Sequence, residues 1–183
     1  MNRNLLILGA VFYGAMAREV AEEMRCFEKI SFLDDRCGDS AGGLMEYERF
    51  PAEYPFALAA VDDAKERVEW LQRLERAGFC MVALVSSSAW VSPSAHLMNG
   101  TVVGPGAVIQ AEAVVGLGCM ICAGAVIGRG AFVGDGGAVG CHGVVRAETA
   151  VPAGTGIGCG EIFHLEAETA LRGLEAYSFE VGV

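Results

Sequence analysis

From Val91 onward the chain places an aliphatic residue on every sixth position: Val91, Leu97, Val103, Ile109, Val115, Ile121, Ile127, Val133, Val139, Val145, Val151 and Ile157. A helix repeats every 3.6 residues and a strand every 2, so neither holds this register. Four residues after most of these aliphatics comes a small residue, as at Ala95, Thr101, Ala107, Ala113, Cys119, Ala125, Ala131 and Gly137. A solenoid with three short faces per coil satisfies both spacings. Each face presents one aliphatic and one small residue inward, and glycine permits the corners. Three hexads make a coil, so residues eighteen apart stack at about the 4.8 Å strand spacing. Twelve hexads make four coils.

The first half obeys a different grammar. "NLLILGA" is an apolar run ending at Gly9, and residues 14–25 carry Ala17, Ala21 and Met24 at helical spacing. "KISFLDD", "FALAAV" (56–61) and "FCMVALV" (79–85) read as three more strands. Asp62 or Asp63 can cap a helix with Val68, Leu71 and Leu74 inward and Gly78 as its stop. Alternating strands and helices predict a small parallel sheet with Rossmann-like winding. The expected division is 1–88 for this α/β unit, 89–162 for the β-helix and 163–183 for a C-terminal capping segment. In that segment residues 165–176 would form a short helix over the open end of the solenoid.

The formal net charge of −10 argues against nucleic acid, which needs a basic footprint, and equally against an anionic membrane surface. No apolar run reaches a membrane span, and the N-terminus lacks a signal-peptide cleavage pattern, so a cytoplasmic protein is expected. Seven cysteines at irregular spacing read as reduced thiols rather than a disulfide framework. Cys119 and Cys122 form a CxxC, but no further ligands lie near it and no metal is expected. Cys141 and Cys159 are eighteen apart and should stack.

The repeat resembles that of the left-handed β-helix hexapeptide acyltransferases. With "LILGAVFYGAMAREVAEE", "KISFLDD", "AAVDDAKER" and "LVSSSAWVSPSA", the chain to about residue 160 resembles the sialic-acid O-acetyltransferase and nucleotide-sugar N-acetyltransferase family, which includes bacillosamine and perosamine N-acetyltransferases. The resemblance implies the left-handed winding and a homotrimer. It also implies an α/β domain that holds a nucleotide-linked sugar, acetyl-CoA bound along the β-helix between subunits, and a histidine base.

The residues can be set against that expectation. The family's GAxxHG turn is matched at Gly9, Ala10 and Gly14, with Tyr13 in place of the histidine. A glycine turn opening a helix turns backbone N–H groups toward a phosphate or uridine. Asp34 and Asp35 close the second strand, where an acid reaches a ribose hydroxyl, and Asp62 closes the third. The other reading is a plain turn with helix-capping acids; an NAD module is disfavoured because the full GxGxxG is absent.

The family's histidine position, in "CAGAVIGRGAFVG", is occupied by Arg129, which cannot serve as a base at neutral pH. His96 lies in the first coil and His164 beyond the last hexad, so only His142 is central, at a corner of the third coil; it is either the base or an exposed corner residue. Arg146 falls one layer up from Arg129 and one position back, on an edge shared with Glu112, Gly130 and Glu148. The two arginines either meet the phosphates of CoA or form a surface ion-pair cluster. The tail lacks the family's G-x-P-A-K/R segment. Two functions remain: an acetyl-CoA-dependent sugar acyltransferase, or a catalytically degenerate member that acts as a sugar-nucleotide-binding or scaffold protein.

Overall fold

The computed structural model describes residues 2–164. The expected capping helix at 165–176 lies outside them. The first unit is a four-stranded sheet of β1 (Asn4–Leu8), β2 (Lys29–Leu33), β3 (Phe56–Ala59) and β4 (Cys80–Met81), all parallel, in the order β2-β1-β3-β4. Helices α1 (Tyr13–Met24) and α2 (Ala64–Arg76) cover its two faces. The alternation of side chains along a strand sets this arrangement. Leu5 and Ile7 pack with Ala17, Val20 and Ala21 of α1, while Leu6 and Leu8 pack with Trp70, Leu71 and Leu74 of α2. Asp63 caps α2, accepting a 2.8 Å bond from the Glu66 N–H, and Gly78 at φ +91° follows its end, as its sequence predicts.

Fourteen two-residue strands follow, in three parallel ladders. The first face stacks β5 (Leu84–Val85), β8 (Val102–Val103), β11 (Met120–Ile121), β14 (Ala138–Val139) and β17 (Gly156–Ile157). The second stacks β6 (Trp90–Val91), β9 (Val108–Ile109), β12 (Val126–Ile127), β15 (Val144–Val145) and β18 (Ile162–Phe163). The third stacks β7 (His96–Leu97), β10 (Val114–Val115), β13 (Phe132–Val133) and β16 (Ala150–Val151). Every registered pair is eighteen residues apart, and the predicted aliphatics form one continuous internal column. This is a parallel β-helix.

Two expectations shift. The run 79–85 is not one strand: β4 ends the flat sheet at Met81, and Leu84–Val85 already pairs with the solenoid. The repeat begins one hexad before Val91 and, among the described residues, runs on one hexad past Ile157 to Phe163. Counted from Leu84, His142 sits in the fourth coil rather than the third. Val85 and Phe163 keep the period of six, but Val85 continues the apolar run 79–85 and Phe163 is aromatic rather than aliphatic.

The corners explain the glycines. Position after position, at residues 100, 106, 112, 118, 124, 130, 136, 142, 148, 154 and 160, the backbone is left-handed, with φ between +56° and +72°. Eight of these are glycine; the others are Glu112, His142 and Glu148. Left-handed backbone costs a side-chain-bearing residue about 1–2 kcal/mol, which is why glycine dominates the row.

The two units share a core. Outward residues of the first face, Leu84, Val102 and Met120, pack in one cluster with α1 and the sheet. Helix α2 lies across the corners between the third and first faces: a Cβ on Gly118 would come 2.7 Å from Leu71 Cδ1, and one on Gly136 would come 2.9 Å from the Ala64 carbonyl oxygen.

Candidate functional site

The chain leaves β1 for β2 on one side and later returns to β3 on the other, so strand order reverses at β1. Parallel sheets open a crevice at such a switch point, beyond the carboxyl ends of the strands. A cavity of about 360 Å³ lies there, lined by Gly9 after β1, Asp34, Asp35 and Arg36 after β2, and Ala60, Val61, Asp62 and Asp63 after β3, with Glu66 from α2. Of the expected substrate residues, Gly9, Asp34, Asp35 and Asp62 line it.

The other three play supporting parts. Ala10 donates its N–H to Asp34 Oδ2 at 2.8 Å. Gly14 is buried, and a Cβ there would overlap the Gly9 carbonyl oxygen, so glycine lets the helix start press against the turn. Tyr13 lies outside the cavity lining; its ring sits under the Arg67 guanidinium, 5.4 Å from ring centroid to Cζ. Burial raises the Tyr13 pKa, nearby Cys122 adds to the rise, and Arg67 opposes it.

Asp34 also serves the fold. Besides Ala10 it accepts from the Arg36 N–H at 2.7 Å. Burial pushes its pKa up, but these backbone donors and the Arg36 charge outweigh burial and hold it below the ordinary value. Asp35 accepts from the Leu44 N–H at 3.1 Å, tying the 3-10 turn Leu44–Arg49 to the rim. Asp63 is occupied as the α2 cap, which leaves Asp62 as the acid of that loop not committed to a cap. Helix α1 has no side-chain cap; its N-cap residue Phe12 stands at φ 45° and is 75% exposed. The walls carry five carboxylates and one guanidinium. Such walls accept hydrogen bonds from hydroxyl and amino groups, while phosphate is left to Arg36 and the N–H groups at the start of α1.

The solenoid candidates lie on two corners flanking the second face. His142 is exposed at φ +56°, between β14 and β15, and its ring lies over Gly124, where a Cβ would come 2.6 Å from Nδ1. Burial pushes the Cys122 thiol up to about 11, and Cys141, the residue before His142, adds to the rise. Cys122 also acts electrostatically on Tyr13, so this corner adjoins the start of α1. Arg129 lies on the other corner, with its N–H on Gln110 Oε1 at 2.9 Å and its guanidinium on Glu148 at 2.6 Å. Glu112, Gly130 and Glu148 stack there as their spacing predicts, and Arg146 is exposed on the same edge. Within one protomer His142 and Arg146 stand at opposite ends of β15, roughly 13 Å apart at 3.3 Å per residue.

Cys119 points into the solenoid, where burial pushes its pKa to about 12; Cys122 lies on the corner, so the CxxC does not converge. Among the described residues no group of three or more His, Cys, Asp or Glu is placed to hold a metal. The residue the sequence did not mark is Arg67, which belongs to the helical pattern of α2 and carries no motif.

No family model matches the chain, and no curated protein does. Solved structures do. The acetyltransferase domain of PglB from Neisseria gonorrhoeae is 23% identical over 91% of this chain and 95% of that one, with a TM-score of 0.69. The same domain in complex with acetyl coenzyme A gives 24%, 90%, 100% and 0.63. A mutant of perosamine N-acetyltransferase from Caulobacter crescentus, in complex with CoA and GDP-perosamine, gives 19%, 88%, 88% and 0.61. The chain shares its two-part fold, sheet and β-helix together, with these acetyltransferases.

Proposed function

We propose that the chain is an acyltransferase that moves an acetyl group from acetyl-CoA to an amino or hydroxyl group of a nucleotide-linked sugar. The observation that carries this reading is the pairing of two parts in one chain. The fold it shares with proteins solved with acetyl-CoA, and with CoA and GDP-perosamine, is matched over about nine-tenths of its length, and its sheet keeps a cavity at the switch point. In this reading the sheet winds as a Rossmann-like unit and the first 88 residues hold the sugar nucleotide. Gly9, Asp34, Asp35 and Asp62 face the sugar nucleotide, backed by Ala10, Tyr13 and Gly14. The solenoid winds left-handed and holds the acyl donor.

The acceptor nitrogen or oxygen attacks the thioester carbon, a base takes its proton, and CoA leaves as the thiol. Backbone N–H groups at the corners stabilise the oxyanion. His142 is the base in this assignment: it holds a left-handed position that costs any residue but glycine, and strain of this kind clusters at functional sites. Arg129 and Arg146 meet the CoA phosphates. The Arg129–Glu148 pair is exposed on both sides, so exchanging Glu148 for a phosphate gives up little.

We further propose a cytoplasmic homotrimer. Outward residues of the second face, Trp90, Val108, Val126, Val144 and Ile162, form an apolar stripe, with Trp90 55% and Ile162 66% exposed. Packing this face against a neighbour brings both flanking corners, and so His142 and Arg129, to a subunit boundary.

One observation favours the degenerate alternative. Arg129 stands where the resemblance expects histidine, and Glu148 already satisfies it. Thioester turnover with UDP-, GDP- and dTDP-amino sugars, beside calorimetry of CoA and of each sugar nucleotide, separates the two. Turnover supports the enzyme; sugar-nucleotide binding with no turnover supports the binding protein; no binding of either ligand refutes both.

A further inference from the structure

Arg67 is the one arginine of the first unit that is 0% exposed, and among the described residues no carboxylate hydrogen-bonds it. A buried charge is retained only where its donors are satisfied. Here the partners are four backbone carbonyls from two parts of the molecule. Nη1 donates to Val61 O at 2.7 Å and Asp62 O at 3.0 Å, in the loop that walls the cavity. Nε donates to Gly118 O at 2.8 Å and Nη2 to Gly136 O at 2.7 Å, on two stacked corners of the solenoid. The Tyr13 ring, at the start of α1, closes the remaining face of the guanidinium. Only the rigid, five-donor fork of arginine can serve two such groups at once.

We infer that Arg67 is a positioning residue for the sugar-nucleotide cavity: it fixes the main chain of the Val61–Asp62 loop, and with it the Asp62 carboxylate, against the solenoid that carries the acyl-transfer machinery. The inference rests on the proposed function for the identity of the ligand, but not for the mechanical coupling. Val61 and Asp62 lie in the loop between β3 and α2, and that loop has no other side-chain hydrogen bond to the solenoid among the described residues. The guanidinium therefore adds hydrogen bonds between cavity wall and solenoid to the packing of α2 on the corners. Leu71, one turn further along α2, packs against the same corner row but gives the loop no hydrogen bond, and so supplies the control.

Native-state hydrogen exchange on the whole chain tests the coupling. The Ala60 and Glu66 amides are bonded to Leu8 O and Asp63 Oδ1, and those of Gly118 and Gly136 to Asn99 O and Leu117 O, so all four are readable. In the unmodified protein the two pairs should open together, with the same dependence on denaturant. In Arg67→Lys the Ala60 and Glu66 amides should exchange at least tenfold faster than in Leu71→Ala, and calorimetric affinity for the sugar nucleotide that binds the unmodified protein should fall at least tenfold in the lysine variant alone. Independent opening in the unmodified protein overturns the inference, as does an Arg67→Lys profile matching Leu71→Ala; the former decides the matter even if the lysine variant does not fold. Faster loop exchange with unchanged affinity overturns the role in recognition. If no UDP-, GDP- or dTDP-sugar binds the unmodified protein, it is the proposed function that fails, and the exchange data still decide the coupling.

Discussion

Replacing His142 by glycine should leave a more stable but less active protein. The residue stands at φ +56° in a row where eight of eleven positions are glycine. A Cβ in left-handed backbone costs about 1–2 kcal/mol. Glycine gives back about 0.4–1 kcal/mol through the larger freedom of its unfolded chain. Alanine and glycine at 142 lose the same imidazole contact over Gly124, so comparing the two isolates the backbone. His142→Gly should exceed His142→Ala by about 0.5–1 kcal/mol, which for a chain of this size is about 1–4 °C in Tm. Gly106→Ala is the mirror control: it stands at φ +65° with nothing within 4 Å of a new Cβ, so strain alone should lower its stability by a similar amount. Calorimetric melting of the four proteins reads the first half of the prediction. Turnover reads the second: a general base contributes about 10² to 10⁴ in rate, so both His142 variants should lose at least about a hundredfold in kcat. A loss of activity in the more stable variant cannot be attributed to misfolding. Equal melting of His142→Gly and His142→Ala, or a neutral Gly106→Ala, would refute the strain argument; unchanged turnover would refute the base.

Other outcomes follow from the same geometry. Asp34→Asn should destabilise the protein at pH 7. Because the folded pKa of Asp34 lies below its unfolded value, its contribution is present above that value and is lost as pH falls through the folded one. The stability gap between Asp34→Asn and the unmodified protein should thus narrow from pH 5 to pH 3, as urea unfolding would show. Thiol labelling of the native protein should modify exposed Cys141 and Cys159 and spare Cys119, whose thiol is buried with its pKa near 12; mass mapping reads the sites. Val126→Asp, at the centre of the apolar stripe, should convert a trimer into monomers by light scattering; a monomeric unmodified protein at micromolar concentration would dispose of the trimer. Arg129→Ala should raise the KM for acetyl-CoA more than it lowers kcat, and the opposite split would take Arg129 away from the phosphates.

The solenoid was legible because its period belongs to the backbone. Each hexad needs one aliphatic inside and one left-handed residue at the corner, and both demands recur at a fixed spacing that no helix or strand shares. The register alone places Glu112, Gly130 and Glu148 on one edge. Legibility stops where the period meets another element. Leu84 and Val85 obey the repeat, yet they follow Cys80 and Met81 closely enough to read as one strand. Only the pairing partners, Val102 and Val103 against Phe56 and Ala57, separate them. Likewise Val68 was expected inward with Leu71 and Leu74. It is half-buried instead, because that side of α2 rests on the glycine corners rather than on the sheet.

The site divides along the same line. Gly9, Asp34, Asp35 and Asp62 sit at strand ends, and strand ends are predictable from apolar runs, so their convergence at a switch point could be foreseen. Arg67 could not. In sequence it is one more charged residue on a helix whose mean composition is polar, and charged residues on helices ordinarily face water. Its burial follows from two glycines that permit α2 to approach the solenoid, and those lie 51 and 69 residues away in the chain. Their carbonyls become acceptors only because the corners turn them outward beneath the helix. The signal was divided between an arginine with no motif and glycines already explained by the repeat. What decides the spacing between cavity and solenoid is therefore a contact whose two halves each look complete without the other.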